Sequence, residues 1–248
     1  MPLQPDAASL SDADSSLPRT LIYASVASLF DITVGYIVGT GDDVPQSLED
    51  LGIHVSFLNA QDVATADLSK FGAIILGVRA YAARPELATY NQRLLNYVHQ
   101  GGVLIVQYQD GAYDHNFGPY PLALGREQTV TQEHCPVEFL EPNNPALVWP
   151  NRIGQADFAG WIEERGHGYP QSWDPRWQAL VEMHDEEQPP QKGGLLVARY
   201  GKGEYVYTAL AFYRQLPEGV PGAYRIFANL LSLGHNPSFD RKNGAAGR

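Results

Sequence analysis

The first part of the chain alternates short apolar runs with segments of helical periodicity. Runs that predict strands cover residues 33–38, 53–58, 73–76 and 103–106. Between the last two, apolar side chains recur at helical spacing from Leu87 to Val98, which predicts a helix that begins at Pro85 and ends at Gly101. Strands that are apolar along their whole length and alternate with helices are typical of a parallel sheet covered on both faces.

The pattern changes over residues 111–194, which are dense in Gly, Pro, Asn, Trp and Tyr and contain only short apolar runs. This composition predicts long, ordered loops and short elements built over the sheet. Residues 195–210 form two alternating runs around the turn at residues 201–203, which predicts a β-hairpin. An apolar stripe in residues 222–234 predicts a final helix packed on the sheet.

These elements predict a three-layer α/β sandwich, with a mainly parallel sheet and a late antiparallel hairpin. Residues 1–19 are rich in Pro, Asp, Ser and Ala without periodicity and predict a disordered arm. Residues 20–234 predict one domain, and residues 235–248 predict a flexible tail. The arm is a segment that we expect to become ordered on a partner.

Charge and composition exclude some classes of partner. The chain has 248 residues, a formal net charge of -11 and only 17 scattered Lys and Arg residues, so no nucleic-acid partner is expected. The apolar run 21–30 follows an acidic leader and is too short to span a membrane. With one cysteine there is no internal disulfide, and a cytoplasmic location is favoured over a periplasmic one.

Ligands of open parallel sheets bind beyond the carboxyl ends of the strands. Here that rule selects the loops at residues 39–43, 77–81 and 107–111, joined by residues 213–217 after the hairpin. The candidate ligand or interface residues are Asp42, Asp43, Arg79, Tyr81, Arg84, Gln107, Tyr108, Asp110 and Arg214. For the two aspartates, helix capping is the structural alternative. For the arginines, the choice is between clamping an anion and tying loops together through backbone carbonyls.

The chain contains few residues in recognisable catalytic patterns. Cys135 precedes a proline and lies well beyond the strand-turn position, and no G-x-S-x-G motif is present. The seven histidines show no metal-ligand spacing, although His184 stands beside three carboxylates in residues 185–187. We therefore predict no catalytic residue, no metal and no cofactor.

Several blocks nevertheless resemble a known family, among them "VGYIVGTGDDVPQSLEDLGIHV", "GVRAYAARPEL", "YVHQGGVLIVQY" and "GGLLVARYGKGEYVYTALAFYRQLPEGVPGAYRIFANLLSLG". Over residues 34–234 the chain resembles the C-terminal glutamine-amidotransferase-like domain of some bacterial GlcNAc-phosphatidylinositol de-N-acetylases of the PIG-L/LmbE type. It is more distantly similar to ThuA-like proteins. The resemblance implies a flavodoxin-like, class I glutamine-amidotransferase-like fold.

The resemblance does not bring an activity with it. The zinc motif of the deacetylase domain is absent. The resemblance also implies a cysteine nucleophile on the turn after the strand at residues 103–106, but residues 107–110 of that turn are Gln, Tyr, Gln and Asp. The first hypothesis is therefore a non-catalytic binding or assembly subunit with a protein partner or a small anionic or glycan ligand. The alternative is an enzyme that uses Asp42 or Asp110, with His115 or Arg79, on a sugar-like substrate.

Overall fold

A computed structural model describes residues 32–113, 117–125 and 128–235. The arm at residues 1–19, the apolar run 21–30, His115 and residues 236–248 of the tail lie outside the described residues. Predictions made for those segments therefore stay predictions.

Thirteen strands occur within the described ranges. In chain order they are β1 Thr33–Ile37, β2 His54–Phe57, β3 Ala73–Leu76, β4 Val103–Val106, β5 Leu122–Leu124, β6 Thr129–Val130, β7 Glu138–Phe139, β8 Gly166–His167, β9 Pro170–Trp173, β10 Trp177–Ala179, β11 Val181–Glu182, β12 Leu195–Tyr200 and β13 Gly203–Thr208. Seven of them form the central sheet, in the order β2-β1-β3-β4-β13-β12-β10.

The first five strands of this order are parallel, and β12 and β10 are antiparallel to their neighbours. Numbered along the chain, the parallel part has the order 2-1-3-4-5 of flavodoxin-like folds. The predicted three-layer α/β class, with its late hairpin, is confirmed. In this order the chain reverses direction between β1 and β3, and their carboxyl ends form the topological switch point.

The helices in the described residues are α1 Val44–Glu49, α2 Ala60–Thr65, α3 Ala80–Ala83, α4 Leu87–Gln100, α5 Pro145–Val148, α6 Phe212–Gln215 and α7 Pro221–Leu231. The apolar pattern does not predict helix α2; Asn59 caps it by accepting hydrogen bonds from the backbone N–H groups of Gln61 and Asp62. Helix α2 packs on α4, and α7 packs on α5 and β4. Within the described residues, no helix has the length and apolar character needed to cross a bilayer.

The long segment between β4 and β12 folds as loops, short helical turns and three small two-stranded antiparallel sheets. Three of the aromatic side chains of this segment, Trp161, Tyr169 and Trp177, are buried. Strand β8 pairs with β6, and a bridge joins Gly166 to Leu210, just beyond the end of β13. This bridge holds the β8 segment at the carboxyl edge of the central sheet.

Candidate functional site

The turn after β4 is built from two buried glutamine side chains. Gln107 is 0% exposed and Gln109 is 1% exposed. The Gln109 Nε2 atom donates to the carbonyl oxygens of Gly77, at 3.0 Å, and Gln107, at 2.9 Å. Its Oε1 atom accepts from the backbone N–H of Tyr81 at 3.3 Å. At the position where a nucleophile is expected, this amide instead ties the ends of β3 and β4 together.

A second chain of hydrogen bonds runs from the buried Gln107 to the half-buried Asp42. Gln107 Nε2 donates to the Tyr36 hydroxyl at 2.8 Å, and that hydroxyl donates to Asp42 Oδ1 at 2.6 Å. The carboxylate also accepts from the backbone N–H groups of Val44 and Val78. Burial raises the pKa of Asp42 above its ordinary value. The Asp42 carboxylate thus accepts hydrogen bonds from the start of α1 and from the loop after β3, whereas the Asp43 side chain makes no capping bond.

The loops at the switch point are in direct contact with each other. The backbone N–H of Thr40 donates to the carbonyl of Val78 at 2.8 Å, and that of Gly77 donates to the carbonyl of Ile37 at 2.9 Å. A Cβ placed on Gly39 would lie 1.9 Å from the Val78 carbonyl oxygen, so only glycine permits this approach. At the switch point the loops after β1 and β3 are therefore bonded directly to each other.

Arg79 lies in the sharp turn from β3 into α3 with a left-handed backbone, φ 54° and ψ 36°. A left-handed conformation is uncommon for a non-glycine residue, and such strain is concentrated at functional sites. The Arg79 Nε atom donates to Asp110 Oδ2 at 2.8 Å, and its backbone N–H donates to the Tyr108 carbonyl. The pair of side chains lies at the carboxyl edge, with the arginine half-exposed.

Two other candidates are committed to contacts inside the protein. Arg84 Nε donates to the backbone carbonyl of Val38. The Tyr81 hydroxyl donates to Asn91 Oδ1 at 2.5 Å, and its ring stacks on Phe117 at a centroid distance of 4.5 Å. Tyr81 is buried, so its ring stabilises α3 against α4.

Glu164, which the sequence did not single out, lies at the centre of a charged group that includes the candidate Arg214. Its Oε1 atom accepts from the Tyr213 hydroxyl at 2.7 Å and from Arg214 Nε at 2.9 Å, and its Oε2 atom lies 3.6 Å from His167 Nδ1. His167 first, then Tyr213 and Arg214, lowers the pKa of Glu164 to about 2. The Arg214 guanidinium also contacts Glu163.

This group joins the turn after β4 through the His167 ring. The His167 and Tyr108 rings meet edge to face, with centroids 4.6 Å apart. Gly168 has φ 71°, and a Cβ there would lie 2.3 Å from the Tyr108 ring, so the close approach requires glycine. The residues that together form what we call the edge surface are Arg79, Tyr108, Asp110, Glu163, Glu164, His167, Tyr213 and Arg214.

The structure thus brings together four of the nine candidate residues, namely Arg79, Tyr108, Asp110 and Arg214. Glu164 and His167 were not predicted. The sequence pattern that could have identified them is short: Glu164 precedes His167 by three residues, and glycines flank the histidine. Whether any of the nine binds a ligand stays a prediction.

Chemically, the edge surface offers an imidazole placed 3.6 Å from a carboxylate oxygen, two phenols and two arginines. An imidazole held in this way can move a proton, but nucleophilic catalysis also needs an activated hydroxyl or thiol beside it. The sole thiol, Cys135, is buried outside this surface, and burial raises its pKa. Within the described residues no group of three or more metal-ligating side chains is found.

No protein-family model matches the chain, and the comparison with curated proteins finds no match. Among solved structures, a β-galactosidase from Rahnella sp. R3 aligns with a TM-score of 0.50 and 16% identity over 82% of this chain. The chain spans about a third of that enzyme, 32% of its length. At this identity the likeness shows the fold alone.

Two shorter proteins align over nearly their whole length. A cytoplasmic protein from Salmonella typhimurium LT2 has a TM-score of 0.49 and 13% identity, covering 81% of this chain and 98% of its own. A candidate GMP synthase subunit from Thermoplasma acidophilum has a TM-score of 0.46 and 12% identity, covering 86% of this chain and 98% of its own. These two alignments are too weak to add to the fold assignment.

Proposed function

We propose that this chain is a non-catalytic binding or assembly subunit with an amidotransferase-like architecture, related to the C-terminal domain of PIG-L-type deacetylases. The observation that carries the proposal is the turn after β4. Its Gln109 side chain is buried and bonds to three backbone groups, which leaves neither space nor a reactive group at that position. A turn used in this way stabilises the fold rather than attacking a substrate.

The edge surface supports a protein partner over a small anion. Arg79 is paired with Asp110, and Arg214 is paired with Glu163 and Glu164, so neither guanidinium is arranged around an empty anion site. The rim of a protein interface is polar and carries direct hydrogen bonds, and the edge surface offers charged and polar side chains around a partly exposed imidazole. Arginine and tyrosine are also the residues that most often dominate binding energy in such interfaces.

The alternative is an enzyme with carboxylate and histidine chemistry, for which the Glu164–His167 pair is the specific support. The groups first considered for that role are less suitable. Asp42 is half-buried, and its oxygens already accept hydrogen bonds from Tyr36 and two backbone N–H groups. Asp110 is held by Arg79 and by the backbone N–H of Ala112.

The deciding experiment is purification of the tagged chain from its source organism, followed by reconstitution of any stoichiometric complex and measurement of its Kd. We expect Arg79→Ala and His167→Ala each to weaken binding about tenfold, as truncated interface anchors do. Lys202→Ala is the matched control, because Lys202 lies in the hairpin turn at the opposite, amino edge of the sheet and should leave the Kd unchanged.

Enzymatic turnover by the purified chain would contradict the proposal. If the purified chain, without a partner, hydrolyses acylated or glycosidic compounds and loses this with His167→Gln, the binding proposal is wrong. The same conclusion holds if the complex forms but neither edge-surface variant changes its Kd.

A further inference from the structure

A cleft of about 580 Å³ opens on one face of the central sheet, and we call it the strand-face cleft. Gln178 of β10 pairs with Val197 of β12, and Arg199, two residues further on, pairs with Glu204 of β13. Side chains two residues apart on a strand point to the same face, so these four line the cleft from one face of the sheet. The segment 141–145, which leads into α5, adds to the lining. Pockets of about 300 to 1,000 Å³ are the size that holds small molecules.

A buried carboxylate belongs to the lining of this cleft. Glu204 is 5% exposed, and its Oε1 atom accepts from Arg199 Nη1 at 3.1 Å. Burial raises the pKa of Glu204 above its ordinary value. A carboxylate has roughly four acceptor positions, so one bond to Arg199 leaves most of them for a ligand.

The charges of the lining balance each other. Arg176 and Arg199 are its cations, and Glu141 and Glu204 are its anions. Both guanidinium groups are already paired, Arg176 with Asp174 at 2.8 Å and Arg199 with Glu204. A charged ligand would give up its hydration in this cleft without gaining an unpaired partner of opposite charge, so the lining favours a neutral ligand.

Amide groups supply the remaining polar part of the lining. Asn143 and Gln178 are both exposed, and Asn144 Nδ2 donates to Gln178 Oε1 at 3.0 Å. That bond occupies the Gln178 acceptor and leaves its Nε2 group as a donor. Amides both donate and accept, as hydroxyl groups do. Pro145 and Leu233 add apolar surface beside them.

We propose that the strand-face cleft binds a neutral polyhydroxyl compound, a sugar or a polyol, through the Glu204 carboxylate and the amides of Asn143 and Gln178. A hydroxyl group donates one hydrogen bond and accepts others, so it satisfies a carboxylate and an amide N–H together. The C–H face of such a ligand packs on the apolar part of the lining. Glu204 lies at the amino end of β13, opposite the carboxyl edge where reactions are catalysed in such sheets, so this is a site of binding without turnover.

The test is calorimetric titration of the chain with D-glucose, D-galactose, D-mannose, N-acetyl-D-glucosamine and myo-inositol. At least one of them should bind with a Kd of about 1 mM, as a few hydrogen bonds and a small apolar contact provide. D-Glucuronate and D-glucosamine carry opposite charges on the glucose ring, and neither should bind more tightly than D-glucose. The methyl glycosides of the hexoses distinguish a free sugar from the end of a glycan chain, because only the latter has a substituted anomeric oxygen.

Three variants locate the ligand in the cleft. Asn143→Ala and Gln178→Ala change exposed side chains, and each should weaken binding about fivefold through the loss of one hydrogen bond. Glu204→Gln removes a charged acceptor and should weaken binding about tenfold. Because Glu204 is buried, the two amide variants keep the test valid if Glu204→Gln fails to fold. Gln61→Ala is the matched control, since Gln61 is exposed on α2 and should leave the Kd unchanged.

Two results would overturn the proposal. The first is that no neutral compound binds at tens of millimolar, or that glucuronate or glucosamine binds tenfold more tightly than D-glucose. The second is that Asn143→Ala and Gln178→Ala bind as the unmodified chain does, because the ligand would then lie outside the strand-face cleft.

Discussion

The turn after β4 and the Glu164 group lie at the same edge of the sheet and are built in opposite ways. The two glutamine side chains of the turn are neutral and buried, and Gln109 is bonded to backbone groups. The Glu164 group consists of charged and aromatic side chains, partly open to solvent, on loop and short-helix residues. A position in a fold class therefore does not by itself make a functional site; a site also needs groups that remain open to a partner.

The largest expected effect comes from breaking the turn. Gln109→Met keeps the length of the side chain but leaves the Gln107 carbonyl and the Tyr81 N–H without these bonds, whereas the Gly77 carbonyl still accepts from the Ala80 N–H. Each buried unsatisfied polar group costs about 1 to 3 kcal/mol, so we expect the free energy of unfolding to fall by about 3 kcal/mol. Urea denaturation measures it, with an unchanged m value showing that the unfolded state is the same.

Gln92→Met is the matched control for that substitution. Gln92 is exposed on α4 and bonds only to the neighbouring Asn96 side chain, so a change below about 0.5 kcal/mol is expected. If both variants lose the same stability, the glutamine at position 109 is not the structural tie that its hydrogen bonds indicate.

This difference also explains how much of the molecule could be predicted from its sequence. The regular strands agree closely with the prediction because apolar periodicity reports burial: β3 and β4 match the predicted residues, and β12 does too. The position of the turn after β4 was predicted correctly, but sequence could not show that Gln109 points inward. Glutamine is usually exposed on protein surfaces. The burial of Gln109 depends on hydrogen bonds to backbone groups near the ends of neighbouring strands, which the sequence pattern does not show.

The Glu164 group was missed for a different reason. Its members come from residues 163–167, at the start of β8, and from α6, nearly fifty residues further along the chain, and they meet where Gly166 bridges to Leu210. A pairing of this kind depends on where a long irregular segment returns to the sheet, and no local pattern encodes that path. The Glu164–His167 spacing alone does not distinguish a site from a solvated loop.

The second prediction concerns the Glu164 carboxylate. Its folded pKa of about 2 lies below the unfolded value near 4.3, so its stabilisation is present above pH 4.3 and is lost as the pH falls towards 2. Glu164→Gln should lower the free energy of unfolding by about 2 kcal/mol at pH 7, since bonds to a charged acceptor are lost. It should also flatten the pH dependence of stability between pH 4.3 and 2.

Glu163→Gln provides the comparison for that variant, because Glu163 contacts the same arginine from an exposed position. An exposed ion pair contributes little, so a loss below about 0.5 kcal/mol is expected. A Glu164→Gln protein with an unaltered slope in the acid range would show that the carboxylate titrates normally and that the charged group is not preorganised.

The smallest effect tests the backbone of Arg79, whose side chain holds Asp110 of the turn. Arg79→Gly and Arg79→Ala both remove the bond to Asp110, so they differ mainly in how readily residue 79 adopts its left-handed φ of 54°. Glycine enters that region without the steric cost that alanine meets, and we expect Arg79→Gly to be more stable by about 1 kcal/mol in urea denaturation. Equal stability would mean that the turn relaxes in solution. The strain would then give no reason to regard Arg79 as a residue kept for binding.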